Sequence, residues 1–401
     1  MLISVPLFDD SATMEDSRAM KDDSESQDVS FEAELRLPWW KRPTTWLSGG
    51  LALLLIIFAS GYYFLTALNA SSTAGAITAV DYVQSIAFSP DGRLLVAGVD
   101  HDDTDGAFAG SSVLLWDVAS GKKLRTLSGQ ENINAVAFSP DGQVVAICSE
   151  DENILLWNVA SGTTLSTRFA NSKAVFSIAF SPNGRLLASG DDDGMVRLWD
   201  VASGRLLATF PASSSVSGGT TVTFSPDGRF LAAGSTTVDV WDVASGQLVS
   251  PFPDTSNLAT VNALSFSPHG DVLALSAETL VNGSTQQIAL WNVTDNGTAK
   301  PRTLASQDGL IYSLSISPDG RMLAAAADPG IIERWNLTTG KKLPDIQGAD
   351  ELVVAFDPIG HLLASGGGDY NSNPDVDSAP PPRAYVELWD AATGKQVRIL
   401  T

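Results

Sequence analysis

From Val83 to Thr401 the apolar and polar residues of this chain fall into short runs that recur in sets of four. The first run of a set alternates with a period of two, as in "VQSIAF" (83–88) and "INAVAF" (133–138), the pattern of a half-buried β-strand. The second is more continuously apolar, "RLLVAG" (93–98) or a variant of it. The third ends in tryptophan followed by Asp or Asn, and the fourth is a mixed run such as "KLRTL" (123–127) or "QVRIL" (396–400). Each set predicts four antiparallel strands, and there are seven sets.

The link between the first and second strands is nearly the same each time. Beginning at Phe88, Phe138, Phe180, Phe224, Phe266, Ile316 and Phe356, it reads Ser-Pro-Asp-Gly or a close variant, "FDPIG" being the most altered. Proline fixes φ at the second turn position, Asp or Asn suits the third, and glycine accepts the left-handed conformation that releases the next strand. The tryptophans are Trp116, Trp157, Trp199, Trp241, Trp291, Trp335 and Trp389, spaced 41 to 54 residues apart. Turns such as "VASGK" and "LTTGK" follow them.

A four-stranded sheet is too small to be stable alone, but seven packed face to face in a ring bury both faces of each. The repeats from Val83 onward resemble the WD40-repeat family, in its bacterial type with an N-terminal membrane anchor. The fold this implies is all-β: a seven-bladed β-propeller of four-stranded antiparallel blades, preceded by one transmembrane α-helix and a disordered tail. The chain departs from the family in lacking a Gly-His pair before the first strand, where it reads "SGQENI" (128–133) or "QGADEL" (347–352). The family's second-strand serine survives clearly at Ser189 and Ser365 only, so apolar packing is expected to replace the hydrogen-bond network of the family. Ring closure has two candidates, the C-terminal "KQVRILT" (395–401) and "AITAV" (76–80), with the former favoured.

Residues 46–68, "WLSGGLALLLIIFASGYYFLTAL", carry no charge and are long enough to cross a hydrocarbon layer of about 30 Å as a helix. Trp39, Trp40 and Trp46 precede the segment or begin it, and Tyr62 and Tyr63 lie near its end, as interfacial anchors do. Arg36, Lys41 and Arg42 precede it, and no further Lys or Arg occurs before Arg93. That bias puts the N-terminus in the cytoplasm and the propeller outside the cell membrane. A cleaved signal peptide is the rival reading, but the 45 preceding residues and the 23-residue apolar core are too long for one. The expected organisation is a disordered acidic tail (1–38), a transmembrane helix (46–68), a small-residue linker (69–82) and the propeller (83–401).

The net charge is −22, from 46 acidic and 24 basic residues, which argues against a nucleic-acid partner. The single cysteine, Cys148, lies in an apolar run and reads as a small buried hydrophobe. With His101, His269 and His361 the only histidines and no poised nucleophile–base pair, neither a zinc site nor catalysis is indicated, and no cofactor or metal is expected. The length variation gathers at one end of the repeats: "VDHDDTDGAFAGSS" (99–112), "AETLVNGSTQQ" (277–287) and "GGGDYNSNPDVDSAPPPRAY" (366–385). Repeats one and seven become neighbours in a closed ring, bringing Asp102, Asp103 and Asp105 near Asp369, Tyr370, Asn371, Asn373, Asp375 and Asp377. Such oxygens can hold Ca²⁺, but Pro374 stands where an EF-hand needs glycine and no Glu closes the loop; solvated acidic loops are the plainer reading. The leading expectation is a membrane-anchored, non-enzymatic protein-binding scaffold using this loop face. An external sensor signalling through the acidic tail is the alternative, and a propeller enzyme such as a carbohydrate hydrolase the third.

Overall fold

The computed structural model describes residues 81–102, 108–165, 169–171, 173–212, 219–251, 258–279, 285–293, 301–305, 309–348, 351–368 and 385–401. The tail, the transmembrane segment and all but the last two linker residues lie outside the described residues. Those two, Asp81 and Tyr82, already belong to the first strand, Asp81–Phe88, which starts earlier than expected because Asp81 and Tyr82 continue the ladder against His101 and Asp100.

Seven antiparallel sheets follow one another, each in the order of its sequence, and the first strands contact one another around a closed ring. This is a seven-bladed propeller. In blade two the outer strand is split into Thr163–Thr164 and Phe169–Ala170. Blade seven takes its outer strand from the C-terminus: Gln396–Leu400 pairs with Tyr385–Asp390.

The core is divided among the seams. Every apolar cluster joins two adjacent blades, and each tryptophan packs into the cluster shared with the preceding blade. Trp116 closes the ring, lying with Val386, Leu388 and Leu400 of blade seven, and its indole N–H donates to the Thr401 carbonyl at 3.4 Å. In six of the blades the Asp or Asn after the tryptophan caps the following turn. Asp117 Oδ1 accepts from Ser120 N (2.8 Å) and Ser120 Oγ (2.5 Å), and Asn158, Asp200, Asp242, Asn336 and Asp390 do the same in their blades.

The Ser-Pro-Asp-Gly turn is a local hydrogen-bond circuit. The Leu94 N–H donates to Ser89 Oγ (2.9 Å), Ser89 Oγ donates to Asp91 Oδ1 (2.6 Å), and Arg93 N–H donates to the same oxygen (3.1 Å). The Ser89 hydroxyl and the Arg93 N–H hold the Asp91 carboxyl below its ordinary value. The turn also links blades. A Cβ on Gly142 would stand 3.5 Å from Pro90 Cδ, one on Gly184 3.5 Å from Pro140 Cδ, and so round to Gly92, 3.6 Å from Pro358 Cδ. Each turn glycine, at φ near 70°, therefore carries the proline of the preceding blade. In repeat five His269 takes the Asp place, and Asp271 accepts from Ser267 Oγ instead (2.6 Å). In repeat seven Asp357 replaces the serine and accepts directly from Leu362 N (3.0 Å), leaving Ile359 exposed.

The serine reading holds where it was made. Trp199 Nε1 donates to Ser189 Oγ (3.0 Å) and Trp389 Nε1 to Ser365 Oγ (2.8 Å), whereas the buried Trp157 Nε1 has no partner. The expectation that apolar packing replaces the family's network is corrected in blade three. Asn171, just ahead of the inner strand, donates to the fully buried Asp191 carboxylate (3.1 Å), which also pairs with Arg197 and accepts from Met195 N (3.0 Å). A buried carboxylate needs such partners, and two segments supply them, the stretch at Asn171 and the strand Met195–Asp200.

Close approach between blades depends on the small residue ending the second strand. At Gly190 an added Cβ would overlap the Thr220 carbonyl of blade four, which as backbone cannot rotate away. Gly190→Ala is expected to destabilise the propeller by about 3 kcal/mol. Urea unfolding checks this, and a loss below ~0.5 kcal/mol would show that the seam yields.

Candidate functional site

Two ends of the propeller differ in freedom. The end with the Pro-Gly collar is uniform, because each turn packs on the next. At the opposite end, strands two and three connect and one blade passes to the next. There the insertions of repeats one and five prove to be largely strand, correcting their reading as loops. Strands Leu94–Asp102 and Phe108–Asp117 stay paired out to Asp102↔Phe108, with a bulge after His101. Strands Val272–Thr279 and Thr285–Asn292 stay paired out to Thr279↔Thr285. The ladder continues because each added backbone pair satisfies its own polar groups, which a solvated loop of that length would leave to water.

Asp102 ends the second strand of blade one. Asp103, Asp105, Asp369, Tyr370, Asn371, Asn373, Asp375 and Asp377 lie outside the described residues. What is described is where their two segments begin, and both meet the start of the first strand. His101 Nδ1 and Asp81 Oδ1 are 2.8 Å apart, while a Cβ on Gly368 would stand 2.9 Å from the Asp81 carbonyl oxygen. Repeats one and seven are thus joined at Asp81, at the end where the chain from residue 80 enters the ring.

One residue here escaped the sequence reading. Asp100 accepts from Ser111 Oγ and, at 3.1 Å, from Ile133 N, the first residue of blade two's inner strand. It therefore ties the extended arm to the next blade. Burial pushes its carboxyl above the ordinary value, with these hydrogen bonds opposing the shift. Its only sequence signal was a polar residue continuing a period-two run.

The end is also acidic. Asp192, Glu131, Glu150 and Glu152 are exposed at it, whereas its described basic residues are Lys173 and Arg197, the latter held by Asp191 and Asp193. Among the described residues no group of three or more His, Cys, Asp or Glu side chains is arranged to hold a metal ion. Cys148 is buried, and burial pushes its thiol far up, away from reactivity.

A family model described as "WD domain, G-beta repeat" matches residues 73–117, 121–158, 162–200, 204–242 and 299–336. The chain carries WD40 repeats. From the second match onward, each WD40 match begins at the outer strand of one blade and ends at the Trp-Asp or Trp-Asn of the next, so the sequence unit straddles a seam. The stretches left unmatched contain repeats five and seven, those with altered turns and long insertions. Curated relatives include the small ribosomal subunit protein RACK1z of Arabidopsis thaliana, 45% identical over 60 residues, or 15% of this chain and 16% of that protein. The small ribosomal subunit protein RACK1 of Caenorhabditis elegans is 42% identical over 60 residues, with the same coverage. This chain therefore matches about one sixth of those relatives' length.

The raised Asp100 carboxyl gives a pH signature. A folded value above the unfolded one means that the buried charge weakens folding at neutral pH and that the cost disappears as pH falls through the folded value towards 3.8. Asp100→Asn keeps an oxygen for both donors, so the variant is expected to be at least as stable as the parent at neutral pH. The difference should shrink as the solution is acidified below the raised value. Paired thermal melts across that range check it, and a variant less stable at neutral pH by more than about 1 kcal/mol would contradict it.

Proposed function

We propose that this protein is a membrane-anchored, non-enzymatic scaffold that captures protein partners through the variable end of its propeller, around blades one, five and seven. The observation that carries the reading is the contrast between the two ends. One is locked by the Pro-Gly collar, and the other presents the extended arms of blades one and five, with the base of blade one's arm meeting the start of the repeat-seven segment at Asp81. Binding concentrates on segments that a rigid frame positions but does not constrain. The RACK1 relatives are named as components of the small ribosomal subunit, and membership of an assembly fits a scaffold role.

The uncharged segment 46–68, with aromatic residues at its front and near its back and basic residues before it, supports a single-pass anchor with the propeller outside. Protease added to intact cells or spheroplasts should digest the propeller and spare an N-terminal tag. The reverse pattern would make the propeller a cytoplasmic scaffold. Replacing residues 369–384 by a short Gly-Ser link should abolish capture of cross-linked partners without changing the unfolding transition. Undiminished capture would remove the loop face from the proposal.

A further inference from the structure

We propose that the outer rim of the propeller at the seam of blades seven and one is a second contact surface, fitted to an anionic bilayer. The inference rests on the reading of 46–68 as a membrane anchor.

In a chain with 46 acidic and 24 basic residues, the outer strands are nearly free of acid. Gln396–Leu400, Lys123–Gln130, Leu206–Pro211 and Leu248–Pro251 contain neither Asp nor Glu. Blade six carries one, Asp345, which pairs with Lys342. Apolar side chains stand exposed on this rim: Leu124 at 45%, Val397 at 55% and Ile399 at 49%. Lys122, Lys123 and Lys395 are exposed beside them. The two edges adjoin, since Arg398 packs against Gly121, where a Cβ would stand 2.7 Å from its Cδ. The nearby carboxylates, Asp117 and Asp390, are engaged as turn caps by Ser120 and Thr393. Blade three repeats the combination with Arg205, Leu206 and Leu207.

Half-exposed aliphatic groups beside a cluster of ammonium groups suit an interface that accepts apolar insertion and attracts cations together. An acidic polypeptide would answer the charge alone. The tether makes the encounter intramolecular: thirteen residues from Leu68 to Asp81 reach at most about 45 Å, against about 20 Å for a six-residue strand. A tether of that reach does not hold the rim away from a bilayer.

The test uses the full chain reconstituted into vesicles, either zwitterionic or about one third anionic lipid. Because Cys148 is buried, Leu124→Cys supplies one accessible thiol for an environment-sensitive probe, and Thr303→Cys on blade five is the control. Spin-labelled lipid should quench the probe at 124 and spare that at 303, in anionic vesicles only. Lys122→Gln with Lys123→Gln should lower the docked-to-free ratio roughly thirtyfold, as two phospholipid-facing charges imply. A chain that floats with both vesicle types while the 124 probe stays unquenched would overturn the rim and leave the anchor standing. Flotation with anionic vesicles alone, with quenching, would support the rim and remove the anchor. Flotation with neither removes both. A probe that responds to polyglutamate and not to vesicles would replace the bilayer by an acidic polypeptide.

Discussion

Among the described residues, no blade of this propeller owns a hydrophobic core. All seven apolar clusters lie between neighbouring blades, so a sheet removed from the ring would expose both faces. Six seams form between segments adjacent in sequence. The seventh joins residues 285 positions apart, where Trp116 meets Thr401. Loop-closure entropy grows only slowly with length, so one long-range seam is tolerable where it buries a tryptophan, Leu388 and Leu400. Closure by the C-terminal strand then makes stability a property of the whole circle.

The recurring turn follows from that circle. Within a blade the Ser-Pro-Asp-Gly turn only needs to reverse the chain, and many sequences can do so. Between blades its proline must lie on the next glycine, and that requirement applies seven times with no free end. The altered copies keep it: repeats five and seven exchange the hydrogen-bonding partner but retain Pro268 and Gly270, and Pro358 and Gly360. What varies is the side-chain circuit, which is local, and not the contact that neighbours share.

Period-two alternation and the tryptophan spacing made the blades, their number and the closing strand legible, because these are local patterns repeated. Ser189 and Ser365 were legible for the same reason. The repeat pattern did not extend to contacts set by register between distant strands. Asp100 looked like one more loop carboxylate until pairing placed Ser111 and Ile133 N against it. Asn171 carried no signal, since its partner Asp191 lies twenty residues on and becomes buried only when blade three packs. The strand character of 108–112 was hidden by Gly110, Ser111 and Ser112, and that of 285–287 by its two glutamines, which tertiary pairing overrode.

The same constraint that fixes one end of the ring decides where chemistry can differ. An insertion at the collar would lift a proline off its glycine and open a seam. At the other end an insertion can extend a ladder outward without touching any shared cluster, as the arms of blades one and five do. The outer strands are free in a third way, because their outer edges pair with no further strand and their exposed side chains, unlike the buried Phe210, Leu304, Ile346 and Leu400, can be apolar or basic without cost to the core. Acid can therefore accumulate at the variable end while the described outer strands carry only Asp345, although both belong to one strongly acidic chain. Segregated charge of this kind is what the proposed division into two contact surfaces rests on.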